Sequence, residues 1–308
     1  MLLFSLFILS ESSLKTRMIT TLTIDSVLPL VRIALQEDIA DGDVTTDAVF
    51  SPEHRSVARF LVKQDGVVCG LTVARMVMEE VAGASNDEIR WEAFVKDGDE
   101  VQAGAVIATV EGRSMTLLKG ERTALNFIQR MCGVATLTRE YVRATQGTNA
   151  QVIDTRKTIP AWRLLDKYAV RTGGGKNHRF GLFDMALIKD NHRDAAGSLT
   201  NAIKHCNDAL HDTPNILIET ETRSLQDVRE VLQCLDTGLL VHRIMFDNFL
   251  PALVREGVNL VAGRAVTEAS GGITLANIRE YAEAGVDEIS IGALTHSAPA
   301  LDISMKFR

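Results

Sequence analysis

From residue 151 onward, apolar and polar positions follow two alternating rhythms. Short apolar runs of strand length recur as QVIDT (151–155), MALIK (185–189), ILIETE (216–221), RIMFDN (243–248), AVTEAS (265–270) and EISIG (288–292). Between them lie segments with apolar residues at helical spacing: TIPAWRLLDKYAV, with Pro160 expected in its first turn, then LTNAIKHCNDAL, SLQDVREVLQCL and TLANIREYAEAG. Six such units predict a parallel sheet, either closed into a barrel or open and doubly wound.

The first part of the chain has a different pattern. DSVLPLVRIALQEDI places Val27, Leu28, Val31 and Leu35 at helical spacing behind an Asp-Ser cap, and a polar, turn-rich stretch follows. SVARFLVK and VVCG read as strands and TVARMVMEEVA as a helix. Residues 91–112 read as strands around an Asp-Gly-Asp turn, and the phrase is similar to the hammerhead of biotinyl and lipoyl carrier domains. A carrier needs a lysine at its hairpin tip. The matching region offers Arg113, Ser114 and Met115, so the similarity is architectural only. Residues 25–115 are expected to form a mixed sheet-and-helix domain without chemistry of its own. The long region TLLKGERTALNFIQRMCGVATLTREYVRATQ is helical, and Gly133 is expected to divide it in two.

Composition narrows the class. The chain is acidic, with a net charge of −7, which argues against a general nucleic-acid binder. Cys69, Cys132, Cys206 and Cys234 are scattered without a CxxC pair, so they read as reduced thiols of a cytoplasmic protein rather than a disulfide framework or a metal site. The opening MLLFSLFILS is apolar, yet no basic residue precedes it and ten residues cannot span a bilayer as a helix. Residues 1–24 are expected to be a disordered extension, with Met18 as a plausible start, and no membrane association is expected.

Against that acidic background, residues 154–192 carry eight Lys or Arg and only four Asp. A solvated basic helix face would account for Arg163, Lys167 and Arg171, spaced four apart. It does not account for Arg156 and Lys157 directly after the first strand, for Lys189 after MALI, or for His178 and Arg179 beside a triple glycine. An anion-binding site explains them better. Glu221, Asp247, Ser270-Gly271-Gly272 and Gly292 fall at the same ends of the later strands, which favours a barrel whose loops assemble a site at the carboxyl ends.

The glycines do not spell a nucleotide loop. GGGKN (173–177) lacks the Walker spacing, and no GxGxxG follows a strand. SGG and GALTH (292–296) suit a phosphate instead, because loops after late barrel strands present backbone N–H groups. Acids such as Glu221 and Asp247 beside a polyphosphate suggest Mg²⁺, or stabilisation of a developing cation. A Schiff-base aldolase using Lys189 or Lys157 is the rival reading.

Taken together, DTRKT, KYAVRTGGGKNHRFGL, DMALIKDNH, FDN, SGGIT and IGALTHS, with GDVTTD and GERTALN upstream, resemble the quinolinate phosphoribosyltransferase family over roughly residues 25–308. The resemblance implies an N-terminal α/β sandwich (25–127, joined by the tail 297–308) and an incomplete α/β barrel of about six strands (128–296). It implies transfer of ribose 5-phosphate from phosphoribosyl pyrophosphate to quinolinate with decarboxylation, giving nicotinate mononucleotide, pyrophosphate and CO₂. Arg156, His178, Arg179 and Lys189 would line the quinolinate pocket, joined by Arg122 of a partner subunit. Lys157 and Lys189 would meet phosphoribosyl pyrophosphate, and Glu221 and Asp247 its ribose and Mg²⁺, these four being the catalytic set. Thr155, Ser270, Gly271, Gly272, Gly292, Ala293 and Leu294 would complete the anion-binding loops, with His296 adjacent. The family forms homodimers with shared sites, or assemblies of dimers such as a hexamer. A relative acting on nicotinate or another aromatic acid, or a paralogue without turnover, are the alternatives. Strand three reads IETET where the family suggests Glu-Val-Glu-Val, leaving open whether Glu219 or Glu221 faces the cavity.

Overall fold

The computed structural model describes residues 22–308. The expected extension and Met18 lie outside the described residues, apart from positions 22–24.

The first layer is a four-stranded antiparallel sheet. It contains β1 (Arg55–Val62), β3 (Arg90–Ala93), β5 (Val106–Arg113) and β12 (Ile303–Phe307), in the order β12-β1-β5-β3. The last strand comes from the end of the chain, so the tail completes the first domain. A small ribbon of β2 (Gly66–Val67) and β4 (Glu100–Val101) stands beside it. Helices α1 (Ile24–Ile39), α2 (Val44–Val49), α3 (Leu71–Ala84) and α4 (Ser114–Ala144) cover one face. Alternation aims Ala58, Phe60 and Val62 of β1 at that cover, and all three are fully buried. Truncating Phe60 to Ala there should cost ~3–5 kcal/mol.

Gly133 does not divide the long helix, as α4 runs unbroken through it. The glycine is needed for another reason: a Cβ there would collide with the carbonyl oxygen of Pro299 in the returning tail. The same helix crosses the expected boundary at residue 127/128, so the two domains share a rigid element.

The second layer holds six parallel strands, β6 (Gln151–Ile153), β7 (Met185–Ile188), β8 (Leu217–Thr222), β9 (Arg243–Asp247), β10 (Val266–Ser270) and β11 (Glu288–Ser290). Their order is β6-β11-β10-β9-β8-β7, with every neighbouring pair parallel. Lys176 forms a single parallel bridge to Ile153, so the glycine-rich loop extends the barrel wall beyond β6. The intervening helices are α5 (Arg163–Thr172), α6 (Asp190–Ala196), α7 (Leu199–Leu210), α8 (Leu225–Asp236), α9 (Pro251–Val261), α10 (Ile278–Glu283) and α11 (Ala293–His296). Ser198 and Ser224 cap α7 and α8 through their hydroxyls.

Pro160 differs from its expected place. Helix α5 starts three residues later, at Arg163, behind Trp162, whose ring stacks on Phe127 of α4 with centroids 4.8 Å apart. The basic helix face is also revised: Lys167 is buried, and its Nζ lies 2.5 Å from Asp154 Oδ1. Among the described residues, no helix is long and apolar enough to cross a membrane.

Candidate active site

The carboxyl ends of the barrel strands gather most of the expected residues. Lys189 follows β7 and caps α6, with its Nζ 4.0 Å from Glu221 Oε2 near the end of β8. Glu221 is half-buried; burial first, then the charge of Asp247, raises its carboxyl above the usual range, and Lys189 opposes that shift. Asp247 ends β9 and is in register with Ser270 at the end of β10. The Ser270–Gly272 turn packs on Asn248, whose backbone N–H donates to Ser270 O at 2.7 Å.

Lys157 sits beyond β6. Its N–H donates to Thr155 Oγ1 at 3.0 Å, and its carbonyl accepts from Thr295 Oγ1 at 2.8 Å. Gly292 leaves room for this lysine, since a Cβ would stand 3.1 Å from Lys157 Cδ and 3.2 Å from the His296 ring. Ala293 and Leu294 open α11 at the same place, and exposed His296 bonds Ser297 Oγ through Nδ1 at 2.6 Å. The loops after β6 and β11 therefore meet around Lys157.

Two guanidinium groups complete the mouth. Arg179 donates to Met185 O at 3.0 Å; burial, then the neighbouring charge of Arg156, holds its pKa below the ordinary arginine value. Arg156 makes no ion pair among the described residues, and its buried Nε lacks a hydrogen-bond partner. Two close cations, neither in an ion pair among the described residues, form an anion-seeking arrangement. Arg122 stands apart, exposed on α4 and without an ion pair among the described residues.

His178 lies deeper than the other residues expected to line the quinolinate pocket. It is 7% exposed, and its Nε2 points into the barrel, 3.0 Å from Glu219 Oε2 and 3.3 Å from Glu268 Oε2. Its Nδ1 accepts the N–H of Arg179 at 2.7 Å. Nδ1 is thus occupied within the protein, while Nε2 faces the two carboxylates without a hydrogen bond of good geometry.

Glu219 and Glu221 share the inward face of β8, but at different depths. Glu219 is fully buried, where burial and then the charge of Glu268 push its carboxyl above the usual range. Arg243 bridges this lower layer, reaching Glu219 at 3.7 Å, Glu268 at 3.5 Å and Glu288 at 2.7 Å. Glu221 is the acid that meets the mouth.

Sequence reasoning missed Arg243, Glu268, Glu288 and Arg223. Alternation could have found the first three, because each lies two or four positions before an inward-facing mouth residue. Arg223 follows β8 and pairs with Asp190 at 2.5 Å and Glu221 at 3.7 Å. With Arg193 and Asp194 these residues line a cleft of about 150 Å³ beside the mouth.

Comparison with known proteins agrees with this geometry. Residues 43–132 match the model of the quinolinate phosphoribosyl transferase N-terminal domain, and residues 134–306 that of the C-terminal domain. The chain is 44% identical over 289 residues to quinolinate phosphoribosyltransferase [decarboxylating] 2, mitochondrial, from Nicotiana glauca, covering 90% of this chain and 81% of that protein. It is 43% identical to the probable nicotinate-nucleotide pyrophosphorylase [carboxylating] of Bacillus subtilis, over 87% of this chain and 89% of that one. The solved nicotinate-nucleotide pyrophosphorylase of Francisella tularensis superposes with a TM-score of 0.87 at 34% identity, covering 95% of this chain and all of that one. Matched along both domains in sequence and in fold, this chain belongs to the quinolinate phosphoribosyltransferase family.

Proposed function

We propose that the protein transfers ribose 5-phosphate from phosphoribosyl pyrophosphate to the ring nitrogen of quinolinate, with loss of pyrophosphate and CO₂, giving nicotinate mononucleotide for de novo NAD synthesis. The observation that carries this reading is the Arg156–Arg179 pair, two adjacent guanidinium groups of which Arg156 has no protein counter-ion among the described residues. Quinolinate carries two adjacent carboxylates, and two planar cations match them better than they match one. Lys189 and a partner subunit's copy of the exposed Arg122 complete the acid pocket in this reading. The relative from Nicotiana glauca bears the same activity in its name.

Glu221 and Asp247 take the ribose side. An oxocarbenium-like sugar gains positive charge as pyrophosphate departs, and fixed carboxylates stabilise that charge. Their mutual influence, seen in the raised Glu221 carboxyl, fits an added cation. Mg²⁺ suits a pair of hard oxygen ligands that share it with a polyphosphate, and it would neutralise the leaving pyrophosphate. Lys157, with Thr155 and the backbone of the Ser270–Gly272 and Gly292–Leu294 turns, would hold phosphate groups; His296 flanks them. Decarboxylation follows once the ring nitrogen is quaternary and can accept the electron pair from the C–CO₂ bond.

The working unit is proposed to be a homodimer with shared sites, or a hexamer built from such dimers, placed in the cytoplasm in keeping with four free thiols. The deciding assay supplies phosphoribosyl pyrophosphate and Mg²⁺ with quinolinate or nicotinate and follows CO₂ and pyrophosphate. Quinolinate should be turned over and nicotinate should not. Equal turnover of nicotinate overturns the assignment.

A further inference from the structure

Two loops carry the guanidinium groups that the proposed reaction gives to quinolinate. Arg156 lies just past β6, and Arg179 lies between the triple glycine and β7. Helix α5 intervenes between them, so chain order does not fix how far apart they stand. A ligand with two adjacent carboxylates demands a definite separation, and small misplacements of binding groups are costly. A contact that joins the two loops therefore bears on the reaction.

The first residue of α5 makes that contact. Arg163 is partly buried, and each nitrogen of its guanidinium takes a separate acceptor. Nη1 donates at 3.0 Å to the carbonyl oxygen of Phe180, the neighbour of Arg179. Nε donates to Thr158 Oγ1 at 3.2 Å, and Nη2 to Arg156 O at 3.5 Å, the longest of the three. All three acceptors are neutral oxygens, so the rigid planar fork serves here through its shape.

Both the base of this bridge and its far end are held. Trp162, immediately before Arg163, stacks on Phe127 of α4, while Asp166 pairs with Arg130 of α4 at 3.3 Å and accepts the N–H of Ile159 at 3.3 Å. Beyond Arg179, the N–H groups of Phe180 and Gly181 donate to the two oxygens of Asp184 at 2.6 and 2.9 Å, which closes the turn that Arg163 holds by its carbonyl. Lys157 sits between Arg156 and Thr158 but has anchors of its own, through Thr155 Oγ1 and Thr295 Oγ1. Loss of the bridge should therefore reach the two arginines more than this lysine.

We infer that Arg163 is a positioning residue: it spans the loops of Arg156 and Arg179 and sets the separation of their guanidinium groups for a ligand with two adjacent carboxylates. It acts without touching the substrate. The inference rests on the acid-binding role proposed for that pair.

Steady-state kinetics of folded variants tests it. Arg163→Met removes all three donors and should raise the KM for quinolinate about tenfold, with kcat and the KM for phosphoribosyl pyrophosphate within about threefold of wild type. Arg163→Lys keeps the charge but replaces three separately aimed nitrogens by one ammonium, and its quinolinate KM should stay raised by about fivefold. A wild-type KM in that variant would show that charge alone matters, and overturns the inference. Thr158→Val cuts the bridge at one end with little change of shape and serves where the Arg163 variants do not fold. It should raise the quinolinate KM about threefold, as for one lost hydrogen bond, and add nothing when combined with Arg163→Met. Effects that multiply in the double variant overturn the inference, since the two residues would then act separately. A kcat and a KM for phosphoribosyl pyrophosphate that move as far as the quinolinate KM also overturn it, since the damage would be general. Wild-type protein that fails to turn over quinolinate brings down the function and this inference together. Active wild type with an unmoved quinolinate KM in Arg163→Met or Thr158→Val brings down only the inference.

Discussion

Glu219 and Glu221 stand two residues apart on one face of one strand, yet they belong to different chemical environments. The upper acid is half-buried among Lys189, Arg223 and Asp247, in pairs of 3.7–4.0 Å where lengths are defined. The lower one is sealed in the barrel with His178, Glu268 and Arg243. At the mouth, charges are loosely paired and can exchange partners for a ligand. In the layer below they are fixed, and exchanging them means opening the core. Depth along the barrel axis therefore divides chemistry from support, and tests of each level should give different kinds of failure.

The largest effect is expected below. Lys167→Met leaves Asp154 buried without its cation, and breaking such a pair costs ~3–5 kcal/mol. Urea denaturation should show that loss, with activity per folded molecule reduced because the loop holding Arg179 loses a donor to His178 O. Unchanged stability would mean that depth does not fix these charges. At the mouth the failure should be kinetic. Asp247→Asn should lower kcat by about 10²–10³-fold, the scale of one lost electrostatic contact to a transition state. Calorimetry should find its quinolinate affinity nearly intact; abolished binding would show that the two acids are not confined to the ribose side.

The levels were unequally legible in the sequence. The recurrence of short apolar runs between helical segments, and the position of unusual residues at strand ends, exposed the barrel and its mouth, because both are local properties of the chain. Alternation assigns a face but not a depth, which is why Glu219 and Glu221 looked equivalent. Lys167 read as one cation of a solvated face because its burial depends on Asp154, thirteen residues earlier and just past β6. Gly133 read as a helix break because its real neighbour, Pro299, arrives from the far end of the chain. Arg223 was missed since nothing local marks a turn residue that reaches back to Asp190.

Sharing of the mouth between subunits gives the next test. Arg122 is exposed on α4, before the barrel begins, with no ion pair among the described residues. Arg122→Ala and Lys157→Ala should each be nearly inactive alone. Unfolded and refolded together, mixed dimers would carry both lesions in one pocket and neither in the other, and should recover about half the wild-type activity per mixed dimer. Verified mixing without recovery would place Arg122 outside a shared site. Arg179→Ala is milder. It should weaken quinolinate by ~1.5–3 kcal/mol, as for one charge-assisted hydrogen bond, with the KM for phosphoribosyl pyrophosphate little changed.

The smallest effect should come from the seam between the domains, outside both levels. Tyr168 on α5 donates its hydroxyl to Asp97 Oδ2 at 2.8 Å, and Asp97 also accepts the N–H groups of Gly70 and Leu71 at 3.0 and 3.2 Å. The barrel is thus tied to the start of α3 through a neutral O–H. Burial first, then the charge of Asp97, raises the phenol above its ordinary value of 10. A raised acid holds its proton in the folded state after the unfolded chain has lost it, so stability is full below about pH 10 and falls as pH rises beyond it. Tyr168→Phe should therefore cost about 1 kcal/mol at neutral pH and flatten the alkaline decline, measured by urea denaturation at pH 8 to 11. Its kcat and both KM values should match wild type at pH 8. A changed quinolinate KM would show that the seam reaches the mouth through α5, whose Lys167 lies one residue from Tyr168, and depth alone would then not separate support from chemistry.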